Sequence, residues 1–205
     1  MYDILQTFLL GLMIGLTGAL APGPTLVATI NASISGDWKI GPKVVFGHMI
    51  AESVLFLLIV LGLATLAIPY TSAIAVIGGI ALIAFGALTI TGSRGASLNG
   101  PVTGTVSNPF VAGLVTSAAN PYFWIWWLTI GSAMVIAGLA GGIVLAAVFM
   151  AGHWCADLGW YTLVSAGVSK GRTILSDTSY RRIMGVCGVF LILFGAYYIL
   201  KILSL

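Results

Sequence analysis

The sequence predicts an all-α integral membrane protein: six transmembrane helices forming two inverted three-helix repeats, with helices 1 and 4 broken at proline. Three observations carry this expectation. Charged residues make up 6% of the 205-residue chain and hydrophobic ones 60%, whereas soluble domains carry about 25% charged residues. Apolar runs recur along a chain of mean hydropathy +1.12, and about 20 apolar residues suffice for a helix to cross a bilayer. Finally, Gly47-His48-Met49-Ile50-Ala51-Glu52 returns as Gly152-His153-Trp154-Cys155-Ala156-Asp157, so the pattern G-H-x-x-A-acid occurs once in each half.

Taken in order, the spans are expected at Ile4–Ser33, Val44–Ala67, Ser72–Thr91, Asn108–Ile136, Gly142–Val168 and Ile183–Leu203. Met1-Tyr2-Asp3 lacks the basic n-region of a signal peptide, so the first apolar run reads as a retained helix. Residues 92–107, rich in Gly, Ser, Thr and Asn and containing Pro101, have linker composition. They separate a first repeat, residues 1–91, from a second, residues 108–205, within one membrane domain.

The halves match in register beyond the His-acid motif. Gly79-Ile80-Ala81-Leu82-Ile83-Ala84-Phe85-Gly86-Ala87 in span three parallels Gly188-Val189-Phe190-Leu191-Ile192-Leu193-Phe194-Gly195-Ala196 in span six. Span one carries Ala21-Pro22-Gly23-Pro24 and span four Ala118-Ala119-Asn120-Pro121. Three spans per half is an odd number, so the second half must enter the membrane from the opposite side, an arrangement common in transporters. Lys39, Lys43, Arg94, Lys170, Arg172, Arg181 and Arg182 lie in or beside odd-numbered connections, and only Lys201 lies on the other side. The positive-inside rule then puts the odd connections in the cytoplasm and both termini outside. The net charge of +3 is read by this placement and does not indicate a nucleic-acid partner.

His48 and Glu52, like His153 and Asp157, are four residues apart and so share one helix face. Charges in a bilayer are costly and default to a functional reading, and a buried carboxylate that can shed its charge is suited to proton exchange. These four are the expected proton-coupling residues, with a structural contact between spans two and five as the bland alternative. Pro22, Gly23 and Pro24, with Thr25, should break span one, and Asn120 and Pro121 span four. Freed backbone groups at such breaks form transporter substrate sites, with Thr17, Asn31, Thr116 and Ser117 adding polar groups nearby. In Tyr122-Phe123-Trp124-Ile125-Trp126-Trp127, Trp124 is the expected cation–π partner for an ammonium group. Cys155 and Cys187 read as packing thiols. Gly11-x-x-x-Gly15 permits close helix packing and a homodimer. No phosphate loop, nucleophile elbow or Cys-based zinc motif occurs, so neither an enzyme nor a cofactor is expected.

The segments Ala21-Pro22-Gly23-Pro24, Gly36-Asp37-Trp38-Lys39-Ile40-Gly41, Gly47–Glu52 and Ser117-Ala118-Ala119-Asn120-Pro121 resemble the LysE-type translocators, the lysine exporter superfamily, over nearly the whole chain. The resemblance implies a plasma (inner) membrane exporter of amino acids or related small metabolites, such as lysine, arginine, threonine or homoserine, driven by proton antiport. Many relatives have a basic residue where this chain has Tyr122. The alternative is a divalent-metal exporter, in which His48, Glu52, His153 and Asp157 would form a four-ligand set.

Overall fold

The computed structural model describes residues 3–21, 23–94, 108–171 and 176–203, and the described residues contain helices and no strand. The helices are α1 (Ile4–Ala19), α2 (Pro24–Ser35), α3 (Ile40–Val60), α4 (Thr71–Ser93), α5 (Pro109–Ala118), α6 (Pro121–Trp126), α7 (Ser132–Leu139), α8 (Ile143–Gly171) and α9 (Asp177–Leu203). A 3-10 segment, Leu63–Tyr70, precedes α4, and a π-helical turn, Trp127–Gly131, joins α6 to α7.

Local chemistry sets the boundaries. Asp3 and Gln6 form a capping box at the start of α1. Pro24, Pro109 and Pro121 each stand at the first helical positions, where a missing N–H costs nothing. Asn108 and Asn120 cap their helices by accepting from the backbone N–H of Phe110 and Tyr122. Gly62, at φ +73°, ends α3 in a left-handed conformation that glycine adopts without penalty.

Several expected spans are therefore re-cut. Span one is two helices, α1 and α2, bent by 80°, because Pro24 starts a new helix and does not merely kink an old one. Span two begins earlier, at Ile40, and stops at Val60. Span four is interrupted at Asn120-Pro121 and again by the π turn. Among the described residues, four helical stretches, Ile40–Val60, Pro121–Leu139, Ile143–Gly171 and Asp177–Tyr197, are long and apolar enough to cross a membrane, and the bent α1–α2 pair makes five if it counts as one. At about 1.5 Å per residue, the 21-residue α3 spans roughly 30 Å, the thickness of a hydrocarbon core. Exposed Leu57, Leu163 and Leu193 suit a lipid-facing surface. The chain is a multi-pass membrane protein.

Glycines set the tightest helix contacts. A Cβ on Gly11 would strike the Phe149 carbonyl and one on Gly152 the Phe8 carbonyl, so α1 and α8 touch backbone to backbone. On the other side, Gly113 meets the Val44 carbonyl and Gly47 the Phe110 carbonyl, locking α5 to α3 in the same way. In α4 and α9, Gly79 faces Gly195 and Gly86 faces Gly188. The residue order makes α1 parallel to α8 and α3 parallel to α5, while α4 and α9 are antiparallel. Between these pairs lies an aromatic core of Phe123, Trp126, Trp127 and Phe149 with Leu55 and Met150.

Candidate functional site

The two His-acid pairs meet. Because α3 and α8 run antiparallel, His48 comes beside Asp157 and Glu52 beside His153. Glu52 Oε1 lies 2.8 Å from His153 Nε2 and 3.1 Å from His48 Nε2, and it accepts the Trp127 indole N–H at 3.2 Å. Asp157 Oδ2 stands 3.4 Å from His153 Nε2 and 3.9 Å from His48 Nε2. Glu52, His153 and Asp157 are 2% exposed or less. Opposed charges and hydrogen bonds offset part of the several kcal/mol per ion that such burial costs.

The surroundings of the two histidines differ. His48 Nδ1 is 2.6 Å from Ser117 Oγ on α5, and the Ser117 hydroxyl is also 2.6 Å from the Gly113 carbonyl. His153 is boxed by aromatic rings, with Trp126, Trp127 and Phe149 centroids at 5.0, 5.2 and 6.4 Å. The π turn that begins at Trp127 follows directly on Trp126, and both consecutive indoles are buried here; π turns are frequent at functional sites. His153 Nδ1, Glu52 Oε2 and Asp157 Oδ2 are buried with no hydrogen-bond partner among the described residues.

A cavity opens onto this cluster, lined also by Gly18, Ala21, Gly23, Thr25, Asn120 and Tyr122. Its water-accessible volume of about 40 Å³ suits a few waters and is too small for an amino acid. The helix breaks thus border the cluster through Gly23, Thr25 and Asn120, and Thr25 Oγ1 meets Thr116 Oγ1 at 3.0 Å. Pro24 and Pro121 are buried helix starts outside the cavity lining, and Pro22 lies outside the described residues. One carbonyl at each break is capped by an aromatic side chain. Tyr122 Oη donates to the Thr17 carbonyl at 3.2 Å, and Trp124 Nε1 to the Ala118 carbonyl at 2.7 Å. Trp124 therefore staples a break and does not line the cavity, whereas Trp126 and Trp127 do. Both stood in the aromatic run, but nothing in the sequence marks which rings turn inward. His48, Glu52 and Asp157 also present three donor atoms within 4.8 Å of one another, a spacing that a metal ion could bridge.

A buried ionisable cluster at the meeting point of helices and helix breaks, inside an all-helical membrane bundle, is the makeup of a membrane transporter. The model of the LysE type translocator family matches residues 16–201, and the chain belongs to that family. No curated protein and no solved structure matches it.

Proposed function

We propose that the protein is a secondary active transporter that exports amino acids or related small metabolites by proton antiport, with His48, Glu52, His153 and Asp157 as the coupling group. The observation that carries this reading is the contact of buried Glu52 on α3 with buried His153 on α8 at 2.8 Å, beside a cavity bordered by both helix breaks. A group that binds protons there sits where substrate would pass. The small cavity makes this a closed conformation, so cargo enters only when helices part. Gly23, Thr25 and Asn120 are then placed to meet it, and the N-terminal ends of α2 and α6, starting at Pro24 and Pro121, favour a carboxylate.

The proposal includes six spans in two inverted repeats, residues 1–91 and 108–205, joined by residues 92–107. The glycine contacts favour it, because each recurs in the other half. Gly11 on Phe149 is matched by Gly113 on Val44, Gly47 on Phe110 by Gly152 on Phe8, and Gly79 on Gly195 by Gly188 on Gly86. All of them join one repeat to the other. The moving bodies of alternating access are accordingly the cross-paired helices α1–α8 and α3–α5, which part at the His-acid cluster. The plasma membrane, with odd connections cytoplasmic, remains the proposed setting.

The test is efflux from proteoliposomes loaded with labelled lysine, threonine or homoserine under an imposed pH gradient. Gradient-accelerated efflux that Glu52→Gln abolishes supports the reading; efflux indifferent to the gradient overturns proton antiport. We assign no metal ligands; metal-dependent thermal stabilisation lost in His48→Ala and His153→Ala would reverse that choice.

A further inference from the structure

The two copies of the His-acid motif are alike in sequence but not in what holds their histidines. The glycine contacts fix the comparison. Phe8-Leu9-Leu10-Gly11-Leu12 on α1 stands against α8 as Phe110-Val111-Ala112-Gly113-Leu114 on α5 stands against α3. One turn further on, Gly15 occupies on α1 the place that Ser117 occupies on α5. A Cβ at Gly15 would lie 2.9 Å from His153 Nδ1, the same ring atom that in His48 touches Ser117. His153 Nδ1 has no partner among the described residues.

Hydrogen counting then settles the ring of His48. Ser117 Oγ makes two contacts of 2.6 Å, to the Gly113 carbonyl and to His48 Nδ1, and each needs a proton. The hydroxyl has one, and the carbonyl has none. Ser117 donates to Gly113, so His48 Nδ1 must donate to Ser117. A neutral His48 would then present a bare Nε2 to Glu52 Oε1, 3.1 Å away, and two lone pairs would face each other. One more proton must lie in that contact, on His48 or on Glu52.

We infer that Ser117 is a positioning residue that keeps a proton on His48 Nδ1 and thereby obliges the His48–Glu52 contact to hold a second, transportable proton in this closed conformation. The titratable groups that line the cavity with His48 are Glu52 on α3 itself, His153, Asp157 and Tyr161 on α8 and Tyr122 on α6; α5 and α7 contribute none. The Ser117 bond lies inside the tightly packed α3–α5 pair and persists when that pair leaves α1–α8. What parting breaks is the bond of Glu52 to His153, which frees the Glu52 carboxyl to turn away and carry off or release the proton. His153, opposite Gly15, is under no such constraint. The consequence for coupling rests on the antiport reading above; the hydrogen-bond assignment does not.

The chain has only two histidines, so nitrogen NMR of ¹⁵N-histidine-labelled protein in lipid vesicles resolves them, with His48→Asn identifying the signals of His48. The expected spectrum has a protonated, pyrrole-type Nδ1 on His48. Ser117→Ala should lose it and give the neutral ring with its proton on Nε2. A bare Nδ1 with protonated Nε2 in the wild type overturns the inference, as does an unchanged His48 spectrum in Ser117→Ala. If the Ser117→Ala protein does not fold, the wild-type spectrum alone decides. Gradient-independent transport beside a protonated Nδ1 would sink antiport and leave the assignment of Ser117 standing.

Discussion

Gly113→Ala tests both the cross-pairing of the repeats and the hold on His48. A Cβ at Gly113 would lie 2.8 Å from the Val44 carbonyl carbon and 3.1 Å from the His48 backbone N, besides striking the Val44 oxygen. All are backbone atoms of α3, so no rotamer change relieves them. Carbon atoms in comfortable contact sit about 3.5 Å apart, so α3 and α5 must separate by roughly 0.7 Å or more. The His48–Ser117 contact, now 2.6 Å and one turn away, would stretch to about 3.3 Å, just past the usual hydrogen-bond range. Overpacking costs about 1–3 kcal/mol and the weakened hydrogen bond about 0.5–1.5 kcal/mol, against a gain of ~1 kcal/mol from better helix propensity. The net loss of roughly 0.5–3.5 kcal/mol corresponds to a fall in Tm of about 1–14 °C for a chain of this size. The control is Gly159→Ala, where a Cβ meets nothing within 4 Å and only the propensity gain applies, so Tm should hold or rise. Thermal unfolding in detergent micelles reads both. A Gly113→Ala protein as stable as Gly159→Ala would refute the backbone contact between α3 and α5. Gly11→Ala should repeat the Gly113 loss on α1–α8, since its Cβ would lie 3.0 Å from the Phe149 carbonyl carbon and 3.2 Å from the His153 N.

Glu52→Gln keeps the side-chain size but cannot accept from three nitrogen donors as a carboxylate; gradient-driven efflux should fall to background while the protein still unfolds cooperatively. Trp127→Phe removes the indole donor at 3.2 Å from Glu52 and should cost about 1.5–3 kcal/mol, the range for a hydrogen bond to a charged group, read as a lower Tm; an unchanged Tm would mean that the indole does not hold Glu52. Asn120→Ala deletes the cap on α6 and should cost about 1 kcal/mol, again by thermal unfolding, with weakened substrate efflux because the start of α6 borders the cavity.

The membrane class and the helical content could be read from composition, because a chain with 6% charged residues cannot solvate a globular surface. The identity of the four polar residues could be read as well, since so few ionisable groups are present that any in an apolar run stands out. Their mutual contact comes from the packing of antiparallel α3 and α8, which places Glu52 against His153 and His48 toward Asp157. The glycines carried a signal that was there to find. Phe-x-x-Gly-Leu occurs at Phe8–Leu12 and Phe110–Leu114, and its glycines are the ones that bring α1 to α8 and α5 to α3. It is weaker to the eye than a doubled histidine because each residue is common in membrane helices.

What sequence could not supply is geometry at the breaks. Proline locates an interruption but not its angle, and both Asn120-Pro121 and Gly23-Pro24 proved to be a cap followed by a first helical residue. That distinction matters for chemistry. A kinked helix exposes carbonyls, whereas a restarted helix presents N–H groups, and the carbonyls left at the preceding helix ends are those that Tyr122 and Trp124 cover. At these breaks the Thr17 and Ala118 carbonyls are covered and the Tyr122 N–H is held by Asn120 Oδ1, while the start of α2 has no side-chain cap. The carboxylates of Glu52 and Asp157 then supply the negative charge that the breaks lack. On the proposed reading, a zwitterion would turn its carboxylate toward the start of α2 and its ammonium toward the cluster, displacing the protons held there. On the antiport reading proposed above, cargo and proton would compete for the same carboxylates, which is the competition that an antiporter requires.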